Sequence, residues 1–179
     1  MNRRTFVMFA ASAALGLTAL RAHADAHASA LAAVPEPRVV GKGRLSVLMV
    51  PVLDVTLFGP QGQWRQDQPY AIRVDYLVDL DGPHMAKHAV DQMRSAGCKD
   101  TARLAAWHGR LAAILPDVKR GDTLYGVRTA AGTTGFYLGD RPLGAIQDPA
   151  FTDAFFAICL SPRTTQPNLR RQLLGGRTG

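Results

Sequence analysis

The sequence is poor in the features on which most recognisable catalysts are built. Its only cysteines are Cys98 and Cys159, and no C-x-x-C pair exists, so a dithiol redox centre and a disulfide-dense scaffold are both excluded. It contains no H-E-x-x-H, no P-loop, no G-x-G-x-x-G and no Ser-His-Asp signature. That removes the sequence-level case for a zinc protease, a P-loop nucleotide hydrolase, a dinucleotide enzyme or a serine hydrolase. No basic stripe with interleaved aromatics is present, which disfavours nucleic acid as a partner. The apolar stretch from Phe6 to Leu20 is short and rich in Ala and Gly, whereas spanning a bilayer takes about 20 strongly apolar residues.

What is present is an ordinary globular composition, 47% apolar and 20% charged over 179 residues, which fits one domain. Residues Met1–Ala24 carry a basic start, that apolar stretch, and Ala22-His23-Ala24 as a small-residue cleavage site before Asp25. Asn2-Arg3-Arg4-Thr5-Phe6-Val7 resembles a twin-arginine export signal, with a general secretory signal as the alternative. The expectation is a protein exported to the periplasm, with no stable membrane anchor after processing. Removing Met1–Ala24 lowers the formal charge from +7 to +4, with 18 basic side chains against 14 acidic ones, and these basic residues are scattered. The domain organisation expected is a signal over 1–24, a flexible Ala- and Pro-bearing lead-in over 25–37, a folded domain over 38–175, and a tail over 176–179.

Within the domain, Arg44–Phe58 is rich in Val and Leu and interrupted at Pro51, which predicts two successive strands or one edge strand with a bend. Gly59–Gln68 reads as a loop. Tyr70–Leu80 alternates, placing Tyr70, Ile72, Val74 and Tyr76 on one face and Arg73 and Asp75 on the other, as in a half-buried strand. Helices are predicted over His84–Ala96 and Thr101–Leu115, the second carrying Leu104, Trp107, Leu111 and Ile114 along one stripe. Thr123–Thr129 and Thr134–Leu138 form a hairpin, Arg141–Ile146 returns as a strand, and Asp148-Pro149 opens another helix. A last short helix covers Pro167–Leu174. Strands, two helices, a meander and two helices give an α+β fold, with an antiparallel sheet and helices packed on one face.

Several segments, taken in order, carry a family resemblance: Gly41-Lys42-Gly43-Arg44-Leu45, Asp75-Tyr76-Leu77, Pro116-Asp117-Val118, Thr134-Gly135-Phe136-Tyr137 and the run from Leu143 to Gly175. Together they resemble the bacterial branch of the chalcone isomerase-like family over about Arg38–Gly175. The resemblance implies an open-faced β-sandwich with a cleft between sheet and helices. In that family, plant enzymes close a chalcone into a flavanone, and other members bind fatty acids. The plant chemistry uses an Arg with Thr and Tyr hydroxyls to stabilise developing negative charge. Alignment by eye puts Leu48 or Met49 at the Thr position and Ala157 at the second hydroxyl position, and no Arg falls cleanly on the catalytic one. No catalytic residue is therefore assigned.

The leading expectation is a non-catalytic binding protein taking a small hydrophobic carboxylate or planar ligand. Arg38, Arg44 or Arg73 would pair with its anionic group, and Tyr76, Trp107, Phe155 and Phe156 would line an aromatic wall. The alternatives are a chalcone isomerase-type intramolecular lyase and a structural or partner-binding periplasmic protein. His84 and His88, four apart on a helix, could face one metal or a haem, but the spacing is common and two exposed histidines on a polar face are the favoured reading, so no metal ligand is assigned. The cofactor is left unknown. A Cys98–Cys159 disulfide is allowed by an oxidising compartment, while Cys159 also reads as a small apolar side chain.

Overall fold

The computed structural model describes residues 29–176. The signal over 1–24, the cleavage pair Ala24 and Asp25, and the tail beyond residue 176 lie outside the described residues. Six strands form one antiparallel sheet in sequence order: β1 (Pro37–Val47), β2 (Val50–Pro60), β3 (Tyr70–Tyr76), β4 (Thr123–Arg128), β5 (Thr134–Leu138) and β6 (Arg141–Ile146). Four helices cover one face: α1 (Gly82–Ser95), α2 (Thr101–Ile114), α3 (Pro149–Leu160) and α4 (Pro167–Leu173). This is the α+β open-faced arrangement expected from the element order.

The helix starts follow from local chemistry. The carboxylates of Asp81, Asp100 and Asp148 accept the first free amides of α1, α2 and α3, at 2.8 Å from His84 N, 3.0 Å from Arg103 N and 3.0 Å from Ala150 N. Proline occupies the first turn of α1, α3 and α4, where a missing N–H costs nothing. In the sheet, residues of alternating parity share a face. Leu53, Val55, Leu57, Tyr70, Ile72, Leu124 and Phe136 point to the helices, where the core divides into two adjoining clusters. One gathers Tyr76, Met93, Trp107 and Phe151 beneath α1–α3, and the other gathers Val55, Leu57, Tyr70 and Phe156 beneath α3 and α4.

Three features differ in detail from the expectation. Arg44–Phe58 does divide into two successive strands, but the break is a two-residue hairpin turn at Leu48 and Met49, ahead of Pro51, with φ angles of 48° and 69° that are both left-handed. Strand β1 also starts at Pro37 and not near Arg44, because Gly41 and Gly43 sit within it where α4 crosses closely. The segment expected as a flexible lead-in lays Ala30 and Val34, 1% and 2% exposed, on the outer face of the sheet against Ala71, Tyr125 and Val127.

Candidate ligand-binding cleft

A cleft of about 330 Å³ opens where β3, α3, α4 and the β2–β3 loop meet. Strand β3 supplies Tyr70, and the loop supplies Trp64 and Gln66. Helix α3 supplies Asp153, Phe156, Ala157 and Leu160, and α4 supplies Arg170. Its inner wall is aromatic. The Tyr70 ring meets Phe156 edge-on at 4.8 Å between centroids and Trp64 at 6.1 Å. Tyr70 is 2% exposed, and burial pushes its hydroxyl ionisation upward, so it remains a neutral donor and acceptor at physiological pH.

The polar groups of this cleft are incompletely matched. Arg170 donates from Nε to the carbonyl of Leu160 at 2.8 Å, so α3's C-terminus orients the guanidinium without neutralising it. The buried Trp64 Nε1 interacts with the Tyr70 hydroxyl but makes no well-formed hydrogen bond among the described residues. Beside Tyr70 in the cross-strand register lies Arg128, whose side chain is 14% exposed and whose Nη1 donates to Asp153 at 3.0 Å. Its Nε is likewise buried without an acceptor among the described residues. Buried donors of this kind are uncommon in native proteins and mark places where something else accepts.

The sequence-derived candidates are dispersed. Phe156 lines the cleft, and Phe155 meets it edge-on at 5.3 Å, bridging towards Phe136 and Phe151. Tyr76 and Trp107, 7% and 3% exposed, are core residues of the other cluster. Burial pushes the Tyr76 hydroxyl up to about 12, and the Trp107 indole donates to Asp148 at 2.9 Å, tying α2 to the start of α3. Arg38 is exposed at the beginning of the edge strand. Arg44 and Arg73 line a shallow hollow of about 540 Å³ on the face away from the helices, where their charges are already engaged. Arg44 holds Asp54 through two contacts of 2.6 and 2.8 Å, and this pairing holds the Asp54 carboxyl below its ordinary range. Arg73 contacts Asp75 at 2.9 Å, and Asp75 also accepts from Thr123 at 2.7 Å.

His84 and His88 are both exposed on α1, and among the described residues no three His, Cys, Asp or Glu side chains gather as a metal site would need. Cys98 and Cys159 are free thiols, and burial pushes the Cys159 thiol up to about 11, which makes it a poor nucleophile. Sequence reasoning missed Trp64, Tyr70, Arg128 and Arg170 as a group. The usable signal was a Trp in an otherwise polar loop, since an exposed indole there would be out of place.

Of the two positions aligned to hydroxyl residues of the plant enzyme, Ala157 does line the cleft, whereas Leu48 and Met49 lie at the hairpin tip. Among curated proteins none matches the chain. Among solved structures, a fatty-acid binding protein of Arabidopsis thaliana superposes with a TM-score of 0.58 at 11% identity, covering 78% of this chain and 87% of the other. A likeness at that identity shows a shared fold. A family model described as chalcone isomerase-like matches residues 60–175, a span that runs from the end of β2 through every cleft-lining element, and the chain belongs to that family.

Proposed function

We propose that this is an exported periplasmic binding protein that holds a small amphipathic carboxylate in the cleft without transforming it. The observation that carries the reading is one cavity combining an apolar wall, Phe156, Ala157 and Leu160, with the Trp64 indole, which makes no well-formed hydrogen bond among the described residues, and the Arg170 guanidinium, which donates to a carbonyl but has no carboxylate partner among them. A carboxylate satisfies both halves: its oxygens accept from Arg170 and Trp64 while its tail displaces water from the aromatic wall. The volume of about 330 Å³ lies near the small end of the range of about 300–1,000 Å³ for such sites, which favours a short or medium acyl chain over a bulky one. The Arabidopsis thaliana protein of the same fold is described as binding fatty acids, which supports the same ligand chemistry. Ala157 in the wall, where the plant enzyme has a hydroxyl, supports binding over isomerisation. The export part of the proposal rests on the signal pattern of Met1–Ala24.

Native mass spectrometry of protein purified from its host reads the whole proposal at once. The expected result is a chain beginning at Asp25 with an added acid mass that is released on denaturation. Titration of the emptied protein with straight-chain carboxylates, followed by Trp64 fluorescence, should then saturate, and Arg170→Ala should weaken binding by roughly 10- to 100-fold, the scale of a charge-assisted hydrogen bond. Absence of any saturable response across chain lengths, or loss of chalcone absorbance faster than in buffer, would overturn the reading.

A further inference from the structure

The tip of the β1–β2 hairpin is the most exposed apolar surface among the described residues. Leu48 and Met49 are 92% and 95% exposed, and the flanking Val47 and Val50 are 55% and 58% exposed. Pro51 is exposed beside them, so five successive apolar residues face solvent. Local folding does not ask for this composition. A two-residue turn with both central φ angles positive favours Asn-Gly or Asp-Gly, and bulky apolar side chains there cost conformational energy. The tip is therefore both solvent-exposed and strained by residues that contribute nothing to the core.

We propose that Val47–Pro51 is a wedge that inserts into a lipid surface. Size decides between a bilayer and a protein partner. A stable protein interface draws on about 20–30 residues a side, and a five-residue convex tip offers only a fraction of that. A lipid interface needs no complementary shape and binds in proportion to the apolar area buried. The last bond tying this end of β2 to the β3 end runs from Leu77 N to the Val52 carbonyl at 2.9 Å. Three residues beyond it, at about 3.4 Å each, carry Met49 roughly 10 Å past that anchor. This matches the depth of about 5–10 Å at which interfacial elements sit. Of the charges near this end, Arg44 pairs with Asp54 and Lys119 with Asp79 at 3.2 Å, while the Arg120 side chain is exposed to solvent. Insertion is driven chiefly by apolar burial and tolerates neutral lipid and salt.

The test uses the full chain with phosphatidylcholine vesicles, with and without anionic lipid. Met49→Trp places an indole at the tip, and brominated acyl chains should quench it beyond any quenching of Trp64 and Trp107 in the parent. This readout is local, so binding through residues 1–24 does not imitate it. The double substitution Leu48→Asn with Met49→Gly supplies the favoured turn. It should keep or raise the thermal midpoint while lowering the tip-dependent vesicle partition by about tenfold or more. No excess quenching at position 49 overturns the proposal, as does equal partition of the polar-tip variant. A parent that self-associates in buffer and becomes monomeric in that variant would assign the tip to a second copy instead. Carboxylate binding is measured without vesicles, so the two readings fail separately.

Discussion

At the residue scale, the structure assigns proton directions that sequence could not. Thr134 and Thr152 are both wholly buried, and their hydroxyls lie 2.8 Å apart between β5 and α3. Thr152 also donates to the Asp148 carbonyl at 3.1 Å. A hydroxyl has one proton, so Thr134 must donate to Thr152. Thr152→Val then strands the Thr134 hydroxyl in an apolar setting and should cost about 1–3 kcal/mol, the penalty of an unmet buried polar group. Adding Thr134→Val removes the stranded group, so the double variant should lose less than the sum of the two single ones. Urea unfolding of the three variants gives the comparison, and strictly additive losses would show that the two hydroxyls are not coupled.

At the element scale, the glycines of β1 explain both a boundary missed in the sequence and the placing of a cleft residue. Gly41 and Gly43 broke the apolar alternation and hid the first half of the strand. They are there because α4 lies directly on β1: a Cβ at Gly41 would run into the carbonyls of Gln172 and Leu173. Gly41→Ala should therefore lift the α4 end off the sheet. It should lower the thermal midpoint and, because Arg170 rides on the same helix, weaken carboxylate binding in parallel; a variant with full affinity would show that α4's seat does not position Arg170. The rest of the element order was legible. Asp-Pro and Asp-Thr starts, a 3.6-residue stripe and a 2-residue alternation are local signals, and they place β3, β4–β6 and α1–α3 within a few residues. The cleft was not legible for the opposite reason. Trp64, Tyr70, Arg128 and Arg170 are brought together only by strand register and by the crossing of α3 and α4, which leave no trace in spacing. Arg44 and Arg73 looked equally suitable as anion partners, but sheet parity turns them to the outer face, where aspartates on the same face use their charge.

At the scale of the whole molecule, the charge balance makes stability depend on a few aspartates. The chain carries +7, so every carboxylate neutralised by acid adds to an excess of positive charge. Four carboxyls are held below their ordinary range in the folded state: Asp54 by Arg44, Asp79 by the Arg120 amide and Lys119, Asp91 by Lys87 and Arg94, and Asp148 by the Trp107 indole and the first amides of α3. A folded value below the unfolded one means that the unfolded chain takes up protons first as pH falls. The stabilisation is complete above about pH 4, the unfolded aspartate value, and drains away as pH drops through the folded values. Salt separates the contributions. Asp54 and Asp91 owe their shifts chiefly to exposed cations, so added salt should shrink their part, whereas Asp148 is held first by a neutral indole and should keep its share. Urea midpoints taken from about pH 6 down to about pH 2, at low and high salt, should fall with acid in both series, less steeply at high salt. Asp148→Asn should remove mainly the salt-resistant part, because an amide oxygen serves one of its two sets of donors and carries no proton-linked charge. A stability profile flat to about pH 2 would mean that these four contacts are formed equally in the unfolded chain.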